Sequence, residues 1–151
     1  MHEFIKIVLA ALAILAMVAI PASAAEFNPA VVEAVRDFTS NIPTTHWYQM
    51  KPEVLLQKLE VGEEIFVVDC RRPDEYAAGH IEDAVNVPLH EIADHLDLLP
   101  EDLDTLMVVY CRSGVRSMFT TSALLALGYK NVFNMPGGYL AWVDAGYPVV
   151  K

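Results

Sequence analysis

The residues able to do chemistry lie together in one stretch, Cys111-Arg112-Ser113-Gly114-Val115-Arg116-Ser117. It combines one thiol, two guanidinium groups, two hydroxyls and a glycine. Leu106 to Tyr110, just before it, is a short apolar run that predicts a buried strand. Met118 to Leu127, just after it, predicts a helix, with Gly128 where a helix stop belongs. The cysteine therefore stands at the C-terminal end of a strand, on a tight turn that opens a helix. Such a turn points several backbone N–H groups at one spot, and the helix dipole adds positive potential there. Arg112 and Arg116 add two full charges. A thiol in that position ionises readily, because everything around it favours the thiolate.

Three chemistries compete for such a loop. A buried structural cysteine is the simplest, but it does not ask for arginines on either side. A phosphatase wraps its loop around a tetrahedral phosphate, with an arginine gripping the anion in bidentate fashion. Cysteine-dependent phosphatases place one more residue between Cys and Arg than the four that separate Cys111 from Arg116. The shorter cradle suits a smaller target, a sulfur atom carried on the cysteine itself. Sulfur transfer through a cysteine persulfide fits best.

The elements that must hold this loop alternate along the chain. Helices are predicted at Pro52 to Leu59, Asp74 to Ala78, Leu89 to Leu98, Met118 to Leu127 and Tyr139 to Asp144. Strands are predicted at Ile65 to Val68, Ala84 to Val87, Leu106 to Tyr110 and Asn131 to Met135, with Trp47 to Met50 extended. This alternation implies an α/β fold: a mainly parallel central sheet flanked by helices in three layers. Sites in such sheets lie off the C-terminal ends of strands. Cys111 is at one such end and Cys70 at another. Trp47, Phe133 and Trp142 are expected in the core.

The chain has 151 residues and a formal charge of −10. That is enough for one domain with a real core. The negative charge argues against nucleic acid and anionic membrane surfaces as partners. Ile7 to Ile20 is an unbroken apolar run of 14 residues, about 21 Å of helix against a hydrocarbon core of about 30 Å. With Ala22-Ser23-Ala24 behind it, residues 1–24 read as a cleaved secretory signal. The mature protein is then exported, periplasmic or secreted, and free of the membrane. Residues 25–46 form an N-terminal extension with an amphipathic helix over 29–39. Val31, Val32, Val35 and Phe38 are expected to pack on the main domain over 47–151. His46, His90 and His95 show no metal-ligand spacing, and nothing in the composition sets an oligomeric state.

Cys111 to Ser117 resembles the active-site loop of rhodanese-type sulfurtransferases. Val68-Asp69-Cys70-Arg71, Asp74-Glu75-Tyr76, Gly79-His80-Ile81 and Ala84 to Pro88 are similar to that family's first signature. Gly128-Tyr129, Asn131-Val132 and Gly137-Gly138 with Trp142 resemble its C-terminal end. The resemblance implies a cycle without metal or organic cofactor. Cys111 takes sulfur from a thiosulfate-like anion, sulfite leaves, and the persulfide passes its sulfur to a thiol or to cyanide. It implies that Arg112, Ser113, Gly114, Val115, Arg116 and Ser117 bind the donor and the persulfide, with Ser117 capping the following helix. Asp69 is expected to pair with Arg116 or to hold loop N–H groups, Glu75 to cap locally, and His80 to be a buried hydrogen-bonder. Cys70 departs from the family, where an apolar residue usually follows the Asp. It is a passive small residue turned away from Cys111, a resolving thiol, or one half of a disulfide. The runner-up function is a non-catalytic module of the same fold that binds a partner or senses redox state.

Overall fold

Short, continuously apolar strands separated by polar, helix-forming segments demand a sheet covered on both faces, and the computed structural model has one. It describes residues 27–43 and 47–151, so the secretory signal expected over 1–24 lies outside the described residues. The chain divides into two units, Met1–Asp37 and Phe38–Lys151. Helix α1 spans Pro29–Ser40, starting at a proline whose missing N–H costs nothing at that position. The Asn28 side chain accepts the Ala30 N–H at 2.9 Å. The helix forms where its periodicity predicted it, yet no residue in it is buried. Val31, Val32 and Val35 are exposed on it.

The main unit contains α2 (Pro52–Glu60), β1 (Phe66–Asp69), α3 (Pro73–Ala77), β2 (Val85–Asn86), β3 (Met107–Tyr110), α4 (Val115–Ala126), β4 (Val132–Asn134) and α5 (Gly138–Asp144). The four strands are all parallel in the order β2-β1-β3-β4. Gln49 bridges to Asn134 and extends the β4 edge. Side chains alternate between faces along a strand, which divides the core in two. Val68, Met107, Val109 and Val132 pack with Leu124 of α4 on one face. Val67, Val108 and Tyr110 pack with Leu55 of α2 and Trp142 of α5 on the other.

Three expectations fail. The helix predicted over Leu89 to Leu98 is two short 3₁₀ turns, Leu89–Glu91 and Leu96–Leu98. His95 leaves the helical region (φ −127°), and the chain turns so that Leu99, rather than Leu96 or Leu98, is buried. Trp47 is 62% exposed rather than in the core; it and Tyr48 adopt left-handed backbone angles just before the segment docks on Asn134. Helix α4 starts at Val115, earlier than expected, so Ser117 lies inside its first turn and the cap position falls on Gly114.

Candidate active site

The site assembles at the C-terminal ends of the two central strands. The β1–β3 register pairs Val68 with Val109 and Asp69 with Tyr110. The Cys70 N–H continues the ladder by donating to the Tyr110 carbonyl at 2.9 Å. One step further, Cys70 and Cys111 stand opposite each other, on the face shared by Val68 and Val109. Both are free thiols and both are 1% exposed.

Beyond Cys111 the chain turns at once into α4. Gly114 makes this turn with φ +91° and donates its N–H to Cys111 Sγ at 3.2 Å. A Cβ at Gly114 would stand 3.0 Å from the Gly137 nitrogen. The Cys111 and Arg112 carbonyls are taken by the Tyr139 and Leu140 N–H groups at 2.7 and 3.0 Å, in the first turn of α5. With its carbonyls held outward, the loop turns its N–H groups toward the sulfur. Gly138 (φ +57°) seals this contact: a side chain there would run into the Cys111 carbonyl and come within 2.8 Å of the Gly114 nitrogen. Ser117 is fully buried. Its hydroxyl lies 2.6 Å from Asn134 Oδ1 and 3.5 Å from Cys111 Sγ, and its single proton serves one of them at a time.

These donors set the charge of the sulfur. A hydrogen bond from the Cys70 thiol, together with the Ser117 side chain and the Ser117 and Ser113 N–H groups, holds Cys111 well below the ordinary thiol range, against the opposing effect of burial. Cys70 shifts the opposite way, pushed up first by that same hydrogen bond and then by burial. The pair thus favours a thiolate at Cys111 beside a protonated thiol at Cys70. Cys70 therefore does not turn away from Cys111, as the passive reading required, and its sulfur is unbridged.

The charged residues divide differently from expectation. Asp69 does not reach Arg116. It is fully buried and takes Arg71, whose Nε and Nη2 lie 3.0 and 2.6 Å from Asp69 Oδ2. Arg71 also donates to the Gly79 carbonyl at 2.7 Å and stacks 4.0 Å from the Tyr139 ring centroid. Arg116 instead grips Glu75 with both terminal nitrogens, at 2.7 and 2.8 Å. That grip lowers the Glu75 carboxyl to about 2, so Glu75 does more than its capping bond to the Arg72 N–H. His80 is partly buried, stacked on Tyr76, with Nδ1 3.1 Å from the Tyr76 carbonyl. Arg112, Ser113 and Val115 are exposed at the mouth. A cleft of about 270 Å³ opens there, lined by Arg112, Glu75, Arg71, Gly79, Tyr139 and Leu140.

Arg71, Asn134 and Gly138 were missed as parts of the site. For Arg71 a signal existed, since it stands only two residues after Asp69, near enough for its side chain to fold back on that carboxylate. For Asn134 and Gly138 the needed information is tertiary. Among the described residues no group of His, Cys, Asp and Glu is arranged to hold a metal ion. The arrangement supplies a buried thiolate nucleophile in a ring of N–H donors, open toward one exposed guanidinium.

Residues 51–145 match the rhodanese-like domain family. A sulfurtransferase from Allochromatium vinosum is 40% identical over 102 residues, covering 68% of this chain and 94% of that protein. Thiosulfate sulfurtransferase 18 from Arabidopsis thaliana is 39% identical over 95 residues, covering 54% of this chain and 69% of that one. Among solved structures, a rhodanese-related protein from Thermoplasma volcanium superposes with a TM-score of 0.61 at 29% identity, covering 69% of this chain and 98% of its own.

Proposed function

Because the chain belongs to the rhodanese-like domain family, we propose that it is a sulfurtransferase in which Cys111 carries sulfur as a persulfide between a thiosulfate-like donor and a thiol or cyanide acceptor. The observation that carries this reading is the Cys111 sulfur itself, held below the thiol range in a loop with four residues between it and Arg116. The thiolate attacks the outer sulfur of the donor. The donor's S–S bond breaks, and sulfite departs with its electron pair. Cys111 then bears an outer sulfur whose negative charge lies among the loop N–H groups, where preorganised dipoles need no rearrangement to hold it. An acceptor thiolate or cyanide takes that outer sulfur and returns the Cys111 thiolate.

Arg112, exposed and at the cleft, attracts the dianionic donor and sulfite. Arg116, already paired with Glu75, fixes the loop against α3 more than it binds the anion. Gly114 and Ser117 supply donors to the sulfur, while Asp69 anchors the end of β1. Export, read from residues 1–24, is part of the proposal, and fractionation of cells expressing the full chain tests it.

The activity is tested by thiocyanate formation from thiosulfate and cyanide, with Cys111→Ser as control. The expected result is turnover by the native protein and none by the variant. Mass spectrometry after thiosulfate treatment should show one added sulfur on Cys111 or the product of its onward reaction. Absence of turnover and of any sulfite release with several donors would leave the non-catalytic binding or redox-sensing module as the reading.

A further inference from the structure

Resting on the persulfide reading above, we propose a second output for this site: Cys70 is a resolving thiol that converts the Cys111 persulfide into hydrosulfide and a Cys70–Cys111 disulfide. Three observations converge on Cys70. The ladder of β1 on β3 brings it directly opposite Cys111 and on the same face of the sheet. Neighbouring strands lie about 4.8 Å apart, inside the roughly 4.4–6.8 Å between Cα atoms that a disulfide spans. Each cysteine also acts on the ionisation of the other, Cys111 raising Cys70 and Cys70 lowering Cys111, as neighbouring sulfurs do.

The surroundings of Cys70 leave it little other chemistry. It is 1% exposed, so reagents in solution do not reach it directly. Its backbone is fixed on both sides, with its N–H on the Tyr110 carbonyl and its own carbonyl accepting from Leu89. A small apolar side chain would fill the same place without a proton to give or a sulfur to oxidise. Cys111 Sγ meets the Gly114 N–H and the Ser117 hydroxyl, and Cys70 stands opposite it on the neighbouring strand. A sulfane sulfur bound among the loop donors therefore leaves the inner sulfur facing Cys70.

The resolving step balances within the site. The Cys70 sulfur attacks Cys111 Sγ, forming the bond between the two cysteine sulfurs. The bond from Cys111 Sγ to the sulfane sulfur breaks, and that sulfur leaves with the electron pair. It takes the proton Cys70 gives up and departs as hydrosulfide. The sulfane sulfur gains two electrons, and the cysteine pair supplies them. An external dithiol then reduces the disulfide, becomes a disulfide itself and restores both cysteines. Over one cycle, thiosulfate and a dithiol yield sulfite, hydrosulfide and the oxidised dithiol. This is sulfur reduction, which requires Cys70, and it is distinct from sulfur transfer, which requires an acceptor at the mouth.

The test uses the full protein, reduced and freed of thiol, mixed with equimolar thiosulfate. Monobromobimane traps sulfite and hydrosulfide, and intact-mass and peptide analysis track the cysteines. The native protein should release both products in near-equal amounts and lose the mass of two hydrogens, with Cys70 and Cys111 joined. Cys70→Ala should release sulfite alone and gain the mass of one sulfur; Cys70→Ser serves if the alanine variant does not fold. Native protein that releases sulfite, keeps the added sulfur and yields no hydrosulfide overturns the resolving role and leaves the persulfide reading standing. Native protein that releases no sulfite and changes in no mass overturns the persulfide reading and the resolving role with it.

Discussion

The ends of β1 and β3 begin alike and finish apart. Each closes on a cysteine followed by an arginine, Cys70-Arg71 and Cys111-Arg112. Both cysteines are 1% exposed on the same sheet face, and burial alone would push both thiols up. The backbone beyond each cysteine separates them. After Cys70, the chain spends its groups internally: Arg71 folds back on Asp69, and the Asp69 and Arg71 carbonyls accept from the Asn86 side chain. After Cys111, the chain enters a helix, its carbonyls face α5 and its N–H groups face the sulfur. Equal exposure thus yields a protonated thiol at one end and a thiolate at the other, because Cys111 has Cys70, the Ser117 hydroxyl and the loop N–H groups around its sulfur.

Four changes break or sharpen that contrast. Cys111→Ser removes the only sulfur placed among the loop donors, and thiosulfate-dependent thiocyanate formation should disappear entirely. Gly138→Ala pushes a methyl against the Cys111 carbonyl and displaces the loop. A misplacement of about 1 Å costs about 100-fold in rate, so steady-state turnover should fall by about that factor.

Asp69→Asn attacks the other end. It leaves the buried Arg71 charge without its partner, and breaking a buried pair costs about 3–5 kcal/mol. Urea unfolding should show a loss of that size. Loss of the Asp69 charge, which helps hold Cys70 up, would also lower Cys70 and make the two ends more alike.

Cys70→Ala is the smallest perturbation and the most direct. It removes the neighbouring side chain that contributes most to lowering Cys111, so the Cys111 pKa should rise. In the native protein, alkylation of Cys111 by iodoacetamide should stay flat from alkaline pH down through neutrality, because the thiolate persists there. In the variant the acid limb should move upward toward the ordinary thiol value of about 8.5.

The strands and the loop were legible because their signals are local: Leu106 to Tyr110 is continuously apolar, and Cys111 to Ser117 carries its glycine and arginines in one run. The parallel sheet could be inferred from the alternation of elements. The pairing of charges was not legible in the same way. Glu75 and Arg116 come from different elements and meet only once α3 and α4 are placed. Asp69 and Arg71 were closer to hand, only two residues apart in sequence, but the expectation gave Asp69 to the loop. Ser117 looked like a helix cap because the helix was started at Met118; the left-handed Gly114 moved that start back to Val115. The orientation of Cys70 depended on register, and a slip of one residue would have turned it to the opposite face. Residues 89–98 had a helical pattern, but the core takes Leu99 and leaves Leu96 and Leu98 exposed.

The register that sets Cys70 beside Cys111 exists only after β1 and β3 have paired across everything between them. Such non-local pairing is among the slower events in folding. Until it happens Cys111 has neither its neighbouring donor nor its ring of N–H groups, and it reacts as an ordinary thiol. The nucleophile therefore matures with the sheet. During refolding, the appearance of alkylation at mildly acidic pH marks the moment the central strands lock together, and one sulfur atom serves as the clock for the assembly of the whole domain.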